Sequence, residues 1–186
     1  MKYQLGDFIQ FRNTDGIFMK VIALHNWLYY RKHPEYKNHN GGATHTGIIT
    51  RIENNKIFIA EAVGVPFKEF EYDDWWLDAR IEEGKIWIRR PITKLTNVYK
   101  HAKNYFGRKY DWMSIYGIFI KSILGINSKI SNKFKGDKLL ICSEGALRIG
   151  YDASEERLDL TKEFSKDTDF IPPICIDLSK QFKTVK

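Results

Sequence analysis

The alternation of apolar and polar positions predicts strands in the first half of the chain. The segment Gly6 to Phe11 is typical of a short strand entered through a Gly-Asp turn. Thr44 to Ile52 and Ile57 to Val63 are rich in β-branched residues and are joined by Glu53 to Lys56, a pattern that predicts an antiparallel hairpin. A further strand is predicted at Lys85 to Arg90.

Helical spacing of apolar residues appears in three other segments. Phe18 to Tyr30 is predicted as a helix and is followed by a polar loop from His33 to Gly42. A second helix is predicted from a cap at Thr93 to a stop at Gly107, and a third from Cys142 to an end at Gly150. Strands that come first and helices that come later favour an α+β fold.

Composition indicates a single globular domain over residues 1–186, with 43% hydrophobic and 28% charged residues. The most apolar stretch, Trp112 to Ile126, is shorter than the roughly 20 residues of a spanning helix and contains Lys121. We expect a core helix there, with a lid or an acyl-chain contact as the alternative. Met1 is not followed by an apolar leader, which predicts a cytoplasmic protein in a reducing compartment and is compatible with a bacterial or viral context.

The charge balance favours anionic partners without naming one. The chain has 30 basic and 23 acidic residues, a net charge of +7 and an isoelectric point near 9.3. Such a balance suits an anionic surface. The basic residues are scattered and no nucleic-acid motif accompanies them, so a specific nucleic-acid partner is not expected.

Cys142 is a candidate nucleophile because it begins a predicted helix. Unpaired N–H groups and the positive end of the helix dipole stabilise a thiolate there, and the same groups can hold an oxyanion. Glu144 would raise the thiol pKa if it faced the sulfur, so we expect it to point away. The alternative is a small buried hydrophobic residue, which better describes Cys175. Two cysteines are too few for a disulfide scaffold or a four-thiolate zinc site.

His45 is the histidine best placed to act as a base. It begins a predicted strand and shares a pleat with Gly47 and Ile49, where a rigid backbone can aim an imidazole. Gly47 is expected to leave open space beside the ring for an incoming backbone or acyl chain. The alternative is a structural histidine. The other four histidines fall in predicted helices or in the polar loop: His25, His33, His39 and His101.

Glu61 is a lone acid in an apolar run, where a carboxylate is costly unless it is paired. Pairing with His45 would fix the ring tautomer and stabilise imidazolium. A two-residue turn at Asn54-Asn55 would put Glu61 on the wrong face for this contact, so the triad predicts an odd loop or a β-bulge. The alternatives are an ion pair with a nearby Lys or Arg, or a solvated sheet face.

These residues follow an order that resembles the circularly permuted, papain-like branch of the NlpC-type cysteine hydrolases, the YiiX-like proteins, with lecithin retinol acyltransferase as a more distant relative. The matching motifs are Gly6-Asp7, His45-Thr46-Gly47-Ile48, Glu61-Ala62 and Cys142-Ser143-Glu144. His45 precedes Cys142 by 97 residues, whereas ordinary papain-like chains place the cysteine first. Weaker matches follow over nearly the whole chain: Trp76, Arg89-Arg90, Gly107 to Asp111, and Pro172-Pro173 with Asp177.

The resemblance implies a permuted papain-like fold, in which an antiparallel sheet or half-barrel packs against helices. It implies Cys142 as the nucleophile, His45 as the general base and later acid, and Glu61 as the orienting group. It also implies a substrate-binding set: Tyr110, Gly47 and Ser143.

The activity implied by the resemblance is that of a cysteine peptidase or amidase that cleaves an amide or ester bond through an acyl-thioester. No metal or organic cofactor is expected. The expected substrates are a peptide, a cell-wall peptide or an acyl-lipid. The alternatives are a non-catalytic lipid- or peptide-binding protein on the same fold and a thiol acyltransferase acting on lipids.

Overall fold

Strands dominate the first half of the chain in the computed structural model, which describes residues 2–13, 17–32, 42–63, 65–113, 117, 139–164 and 171–185. The strands of this described part are β1 (Phe8–Phe11), β2 (His45–Glu53), β3 (Lys56–Glu61), β4 (Lys68–Asp73), β5 (Ile86–Pro91), β6 (Lys109–Tyr110), β7 (Leu139–Leu140) and β8 (Phe182–Val185). Its helices are α1 (Ile17–Lys32), α2 (Asp74–Glu82), α3 (Val98–Lys103), α4 (Cys142–Ala153), α5 (Thr161–Phe164) and α6 (Pro173–Leu178).

A six-stranded antiparallel sheet in the order β4-β3-β2-β1-β5-β8 forms the centre of the fold. Strand β1 lies between β2 and β5. At its start the Asp7 carboxylate accepts two hydrogen bonds from the Arg90 guanidinium, at 2.7 and 2.8 Å, which join β1 to β5. A separate pair of short parallel strands, β6 and β7, leads into α4.

Both faces of the large sheet are covered by apolar side chains. Neighbouring residues of β1 point to opposite faces, so Phe8 belongs to one buried cluster and Ile9 to the other. The first cluster includes Ile149 of α4, and the second includes Leu77 of α2. The predicted α+β class is therefore confirmed.

The predicted hairpin and the predicted helices at α1 and α4 are present. Helix α4 nevertheless continues past Gly150 to Ala153, and the Ser154 N–H still donates to the Gly150 carbonyl at 3.0 Å. The chain turns away only at Glu155 and Glu156, whose φ angles are 53° and 66°. The predicted stop at Gly150 is therefore wrong.

The helix predicted from Thr93 begins later, at Val98, after Asn97 in the left-handed conformation (φ 53°). The preceding backbone is used in tertiary contacts, since the Thr96 N–H donates to the Ala153 carbonyl at 2.8 Å. This hydrogen bond ties the segment before Val98 to the end of α4. Strands β4, β6, β7 and β8 and helices α2, α5 and α6 were not predicted.

Two sequence predictions lie largely outside the described residues. Of the stretch Trp112 to Ile126, the described residues are 112, 113 and 117, and Trp112 and Met113 are 40% and 49% exposed. Of the loop His33 to Gly42, only Gly42 is described. No helix in the described ranges combines the length and the apolar character that crossing a bilayer requires.

Candidate active site

Cys142 is the first residue of α4 and is 2% exposed. The chain reaches it through Ile141, which is extended, and through β7, which pairs with β6. Burial raises the pKa of the Cys142 thiol, but the charge and hydrogen bond of His45 and the N–H groups of Thr46 and Ser143 outweigh it, so the pKa is lowered. The predicted position at a helix start is confirmed, and its surroundings favour a thiolate.

His45 is the first residue of β2 and is 5% exposed. Its Nε2 lies 2.5 Å from Glu61 Oε2. Because an ionised carboxylate can only accept, Nε2 carries the proton of this bond. The other ring nitrogen, Nδ1, is buried and has no nitrogen or oxygen partner in the described part of the chain. This tautomer leaves the Nδ1 lone pair free to take the proton of a thiol.

The His45 ring is electrostatically joined to both of its predicted partners. Burial lowers the pKa of His45, but the charges and hydrogen bonds of Cys142 and Glu61 raise it to about 10. Imidazolium is therefore stabilised beside a sulfur whose own pKa is lowered. The arrangement suits an imidazolium–thiolate pair at neutral pH.

Glu61 reaches His45 through a β-bulge. The turn has two residues, Asn54 and Asn55, both with left-handed φ angles of 49° and 62°. Between the turn and the pair Arg51↔Phe58, β2 and β3 keep a register that would place Glu61 on the sheet face opposite to His45. The register then shifts between Ile49 and Arg51. The extra residue in β2 turns Glu61 to the His45 face. The bulge that the triad requires is confirmed.

Gly47 does not leave open space beside the ring, and that prediction is wrong. A Cβ at Gly47 would lie 2.3 Å from Ile59 Cγ2 and 3.2 Å from Glu61 Cβ. The space that a side chain would fill at Gly47 is therefore occupied by the Ile59 side chain of β3, next to Glu61.

Tyr110 lies beside Cys142 although 32 positions separate them in sequence. Strand pairing explains the contact, since β6 ends at Tyr110 and lies parallel to β7, and the Asp111 N–H donates to the Leu140 carbonyl at 3.1 Å. Burial raises the pKa of the Tyr110 phenol, and the charge and hydrogen bond of Cys142 raise it further, so its hydroxyl stays protonated. The hydroxyl is thus available as a hydrogen-bond donor next to the sulfur.

Ser143 and Glu144 are both held by other groups. The Ser143 hydroxyl donates to the Ile171 carbonyl at 2.7 Å, so its backbone N–H, rather than its hydroxyl, interacts with Cys142. The Glu144 carboxylate accepts from Arg148, one turn along α4, at 2.8 Å. The expectation that Glu144 points away from the sulfur is confirmed.

Cys142 also borders a small cavity that is partly open to solvent. Most of the wall is apolar and comes from α1, the end of β6, the residue before α4 and the start of α6: Val21, Ile22, Tyr110, Ile141, Pro172 and Pro173. Apolar walls beside a polar reactive group are typical of ligand sites. The sulfur can thus meet an apolar substituent of a bound molecule.

The other cysteine and the other histidines lie in different parts of the chain. Cys175 is fully buried in α6. It lies near the start of a helix, a position that the sequence did not predict. His25 borders the cavity and His101 is half-buried on α3. His33 and His39 lie outside the described residues. Across the described residues, no three His, Cys, Asp or Glu side chains are grouped as metal ligands would be.

Two groups in the site were missed by sequence reasoning. The Thr46 N–H interacts with Cys142, and a backbone group has no side-chain signal. The Tyr72 hydroxyl donates to Glu61 Oε1. Tyr72 lies in β4, where aromatic residues alternate with acidic ones. The acidic residues kept the segment from being predicted as a strand.

Comparison of the chain with protein-family models, with curated proteins and with solved structures found no match. The interpretation of the site therefore depends on its geometry and chemistry.

Proposed function

We propose that the protein is a cysteine hydrolase that cleaves an amide or ester bond through an acyl-thioester on Cys142. The observation that carries the proposal is the position of the His45 ring between two partners. Its Nε2 lies 2.5 Å from Glu61 Oε2, and the same ring also interacts with the Cys142 sulfur. A nucleophile, a base and a group that orients the base are the parts of a catalytic triad.

In the proposed reaction the Cys142 thiolate attacks the substrate carbonyl carbon, a C–S bond forms, and the C=O electron pair moves to oxygen. N–H groups at the start of α4 and the Tyr110 hydroxyl are donors for this oxyanion. Collapse breaks the bond to the amine or alcohol, which takes a proton from His45. His45 then accepts a proton from water as the water attacks the thioester, and the thiolate leaves.

A permuted papain-like fold and kinship with the YiiX-like hydrolases belong to the same proposal. Two features support them: the histidine strand precedes the cysteine helix, and α4 packs on the sheet that carries His45 and Glu61. The proposed substrates are those that the resemblance implies, namely a peptide, a cell-wall peptide or an acyl-lipid. The apolar wall of the cavity favours an apolar group beside the scissile bond.

Alkylation by iodoacetamide across pH tests the proposal. We expect Cys142 to react well below pH 8 and His45→Ala to move its reactivity up to the ordinary thiol range near pH 8.5. His101→Ala is the matched control and should leave the profile unchanged, while buried Cys175 is the internal control for folding. A Cys142 profile that rises only near pH 8.5 and does not respond to His45→Ala would refute the hydrolase.

The cavity also supports a second candidate, a non-catalytic protein that holds a lipid or an apolar peptide beside an inert thiol. Incubation with p-nitrophenyl acetate followed by mass spectrometry separates the two. An acetyl group that appears on Cys142 and is lost with time supports hydrolysis, and its transfer to an added amine or alcohol supports an acyltransferase. No adduct, together with copurified lipid, supports the binding protein.

A further inference from the structure

A fourth side chain continues the line of contacts that runs from Cys142 through His45 to Glu61. The Tyr72 hydroxyl donates to Glu61 Oε1, while Glu61 Oε2 faces His45 Nε2. Each carboxylate oxygen therefore has its own polar partner. Because Glu61 is fully buried, these partners replace the water that an exposed carboxylate would have.

The Tyr72 ring is fixed on the sheet face that carries His45. It stacks on Trp76 of α2 at 5.3 Å between ring centroids with an interplanar angle of 29°. It also lies 6.4 Å from the Phe11 ring, which in turn lies 5.2 Å from the His45 ring. Aromatic contacts on two sides restrict where the hydroxyl can point.

The hydroxyl remains a donor throughout the working pH range. Burial raises the pKa of Tyr72, and the charge and hydrogen bond of Glu61 raise it further. An ionised carboxylate cannot donate, so the bond has one direction, from Tyr72 to Glu61. The charged groups that act on the His45 pKa are Cys142 and Glu61, and Tyr72 reaches His45 only through Glu61.

We propose that Tyr72 is a positioning residue of this site, whose hydroxyl holds the Glu61 carboxylate so that Oε2 faces His45 Nε2. The inference rests on the proposed hydrolase and adds a residue to its machinery. Tyr72 does not touch the sulfur or the substrate in this proposal; it acts through Glu61.

Loss of the Tyr72 hydroxyl should change the proton affinity of the His45–Glu61 pair. When His45 is neutral, the buried Glu61 charge is stabilised by two neutral donors, the His45 Nε2–H and the Tyr72 hydroxyl. When His45 is protonated, imidazolium balances the same charge. Removing the hydroxyl therefore destabilises the neutral-histidine state more, and the His45–Glu61 pair should hold its proton to higher pH.

NMR titration of the His45 ring in a Cys142→Ser background measures this effect. The background removes a thiolate that raises the His45 pKa and brings the titration below about 10. Adding Tyr72→Phe should raise the pKa by about one unit. The matched control is Tyr105→Phe, which removes a tyrosine hydroxyl that donates to Asp152 Oδ2 at 2.7 Å on α4. It should leave the His45 pKa unchanged.

A His45 pKa that Tyr72→Phe leaves unmoved in a folded protein would overturn the inference. Should that variant not fold, the Tyr72 hydroxyl proton provides a second measurement. It should resonate downfield of other tyrosines and move upfield in Glu61→Gln, and a position insensitive to Glu61→Gln would also overturn the inference. Iodoacetamide labelling of wild type separates the two proposals. Ordinary reactivity of the Cys142 thiol refutes the hydrolase. An activated Cys142 thiol, together with a His45 pKa that Tyr72→Phe does not move, refutes only the role of Tyr72.

Discussion

Replacing Gly47 by alanine should disturb the candidate site through packing alone. The added Cβ would lie 2.3 Å from Ile59 Cγ2, 3.2 Å from Glu61 Cβ and 3.3 Å from the Ala60 carbonyl oxygen. Carbon atoms pack best at about 3.5–4.0 Å, so the methyl group and Ile59 must separate by more than an ångström. The change adds no charge and removes no polar group.

The expected cost follows from how little Ile59 can move. It is fully buried, and the two branches on its Cβ restrict χ1, so Cγ2 cannot rotate away cheaply. Overpacking of this kind costs about 1–3 kcal/mol of unfolding free energy. Part of the strain is relieved by widening the gap between β2 and β3, which moves Glu61 away from His45 and lengthens their 2.5 Å contact.

Urea unfolding and the pH profile of Cys142 alkylation measure the two effects. Gly84→Ala is the matched control, because Gly84 has φ +68° and no atom within 4 Å of an added Cβ. It should lose about 1–2 kcal/mol through backbone strain and keep the wild-type alkylation profile. Gly47→Ala should lose a similar amount and shift the profile towards an ordinary thiol.

A double variant identifies the clash as the cause. Ile59→Ala removes the obstructing methyl group, so Gly47→Ala with Ile59→Ala should lose less stability than the sum of the single losses. The reasoning is refuted if Gly47→Ala stays within about 0.5 kcal/mol of wild type, or if the two losses simply add.

Two further predictions concern Asp177, a buried carboxyl group on α6, and Asn55, in the turn between β2 and β3. Burial raises the pKa of Asp177 to about 6, although the hydrogen bonds from Trp87 and the Ala43 N–H oppose it. The folded state therefore holds this proton more tightly than the unfolded chain, and the resulting stabilisation, about 3 kcal/mol below pH 4, is lost as the pH rises through 6. The unfolding free energy of Asp177→Asn, measured with urea across pH, should not show this fall. The same pH dependence of unfolding free energy in wild type and variant would contradict the prediction. Asn55→Gly should raise the unfolding free energy by up to about 1 kcal/mol, because Asn55 has φ 62° in the two-residue turn. The alkylation profile should not change, and a loss of stability would show that the Asn55 side chain supports the turn.

The contact between His45 and Glu61 could be predicted because it is local. Both residues lie in one hairpin, and side-chain parity along two paired strands decides which residues share a face. The rule required a departure from regular pairing, and the bulge between Ile49 and Arg51 is that departure. The sequence could not say whether the loop or the strand would hold the extra residue, since both satisfy parity.

The contacts that the residue pattern by itself could not predict are those set by long-range packing, although the family resemblance did imply a role for Tyr110. Tyr110 approaches Cys142 because β6 pairs with β7, strands of two residues each, too short to show a period. Tyr72 reaches Glu61 from a strand pair in which it stands opposite Ile57. Gly47 illustrates the same limit, because the sequence shows that a side chain is missing and not which neighbour fills the space.

The site thus has two parts that depend on different physics. The pairing register of the β2–β3 hairpin positions His45 and Glu61 relative to each other. The Cys142 sulfur lies on α4, whose position depends on packing against the sheet. That packing is close at Gly145, one turn into the helix, where an added Cβ would lie 2.3 Å from Phe67 Cε2. The absence of a side chain at Gly145 therefore lets the first turn of α4 lie close to Phe67, the residue before β4, as its absence at Gly47 leaves room for Ile59. Strand register fixes the His45 imidazole, but the ring lowers the thiol pKa only if the Cys142 sulfur lies within hydrogen-bond distance. The distance between α4 and the sheet therefore decides whether the three residues act as one site.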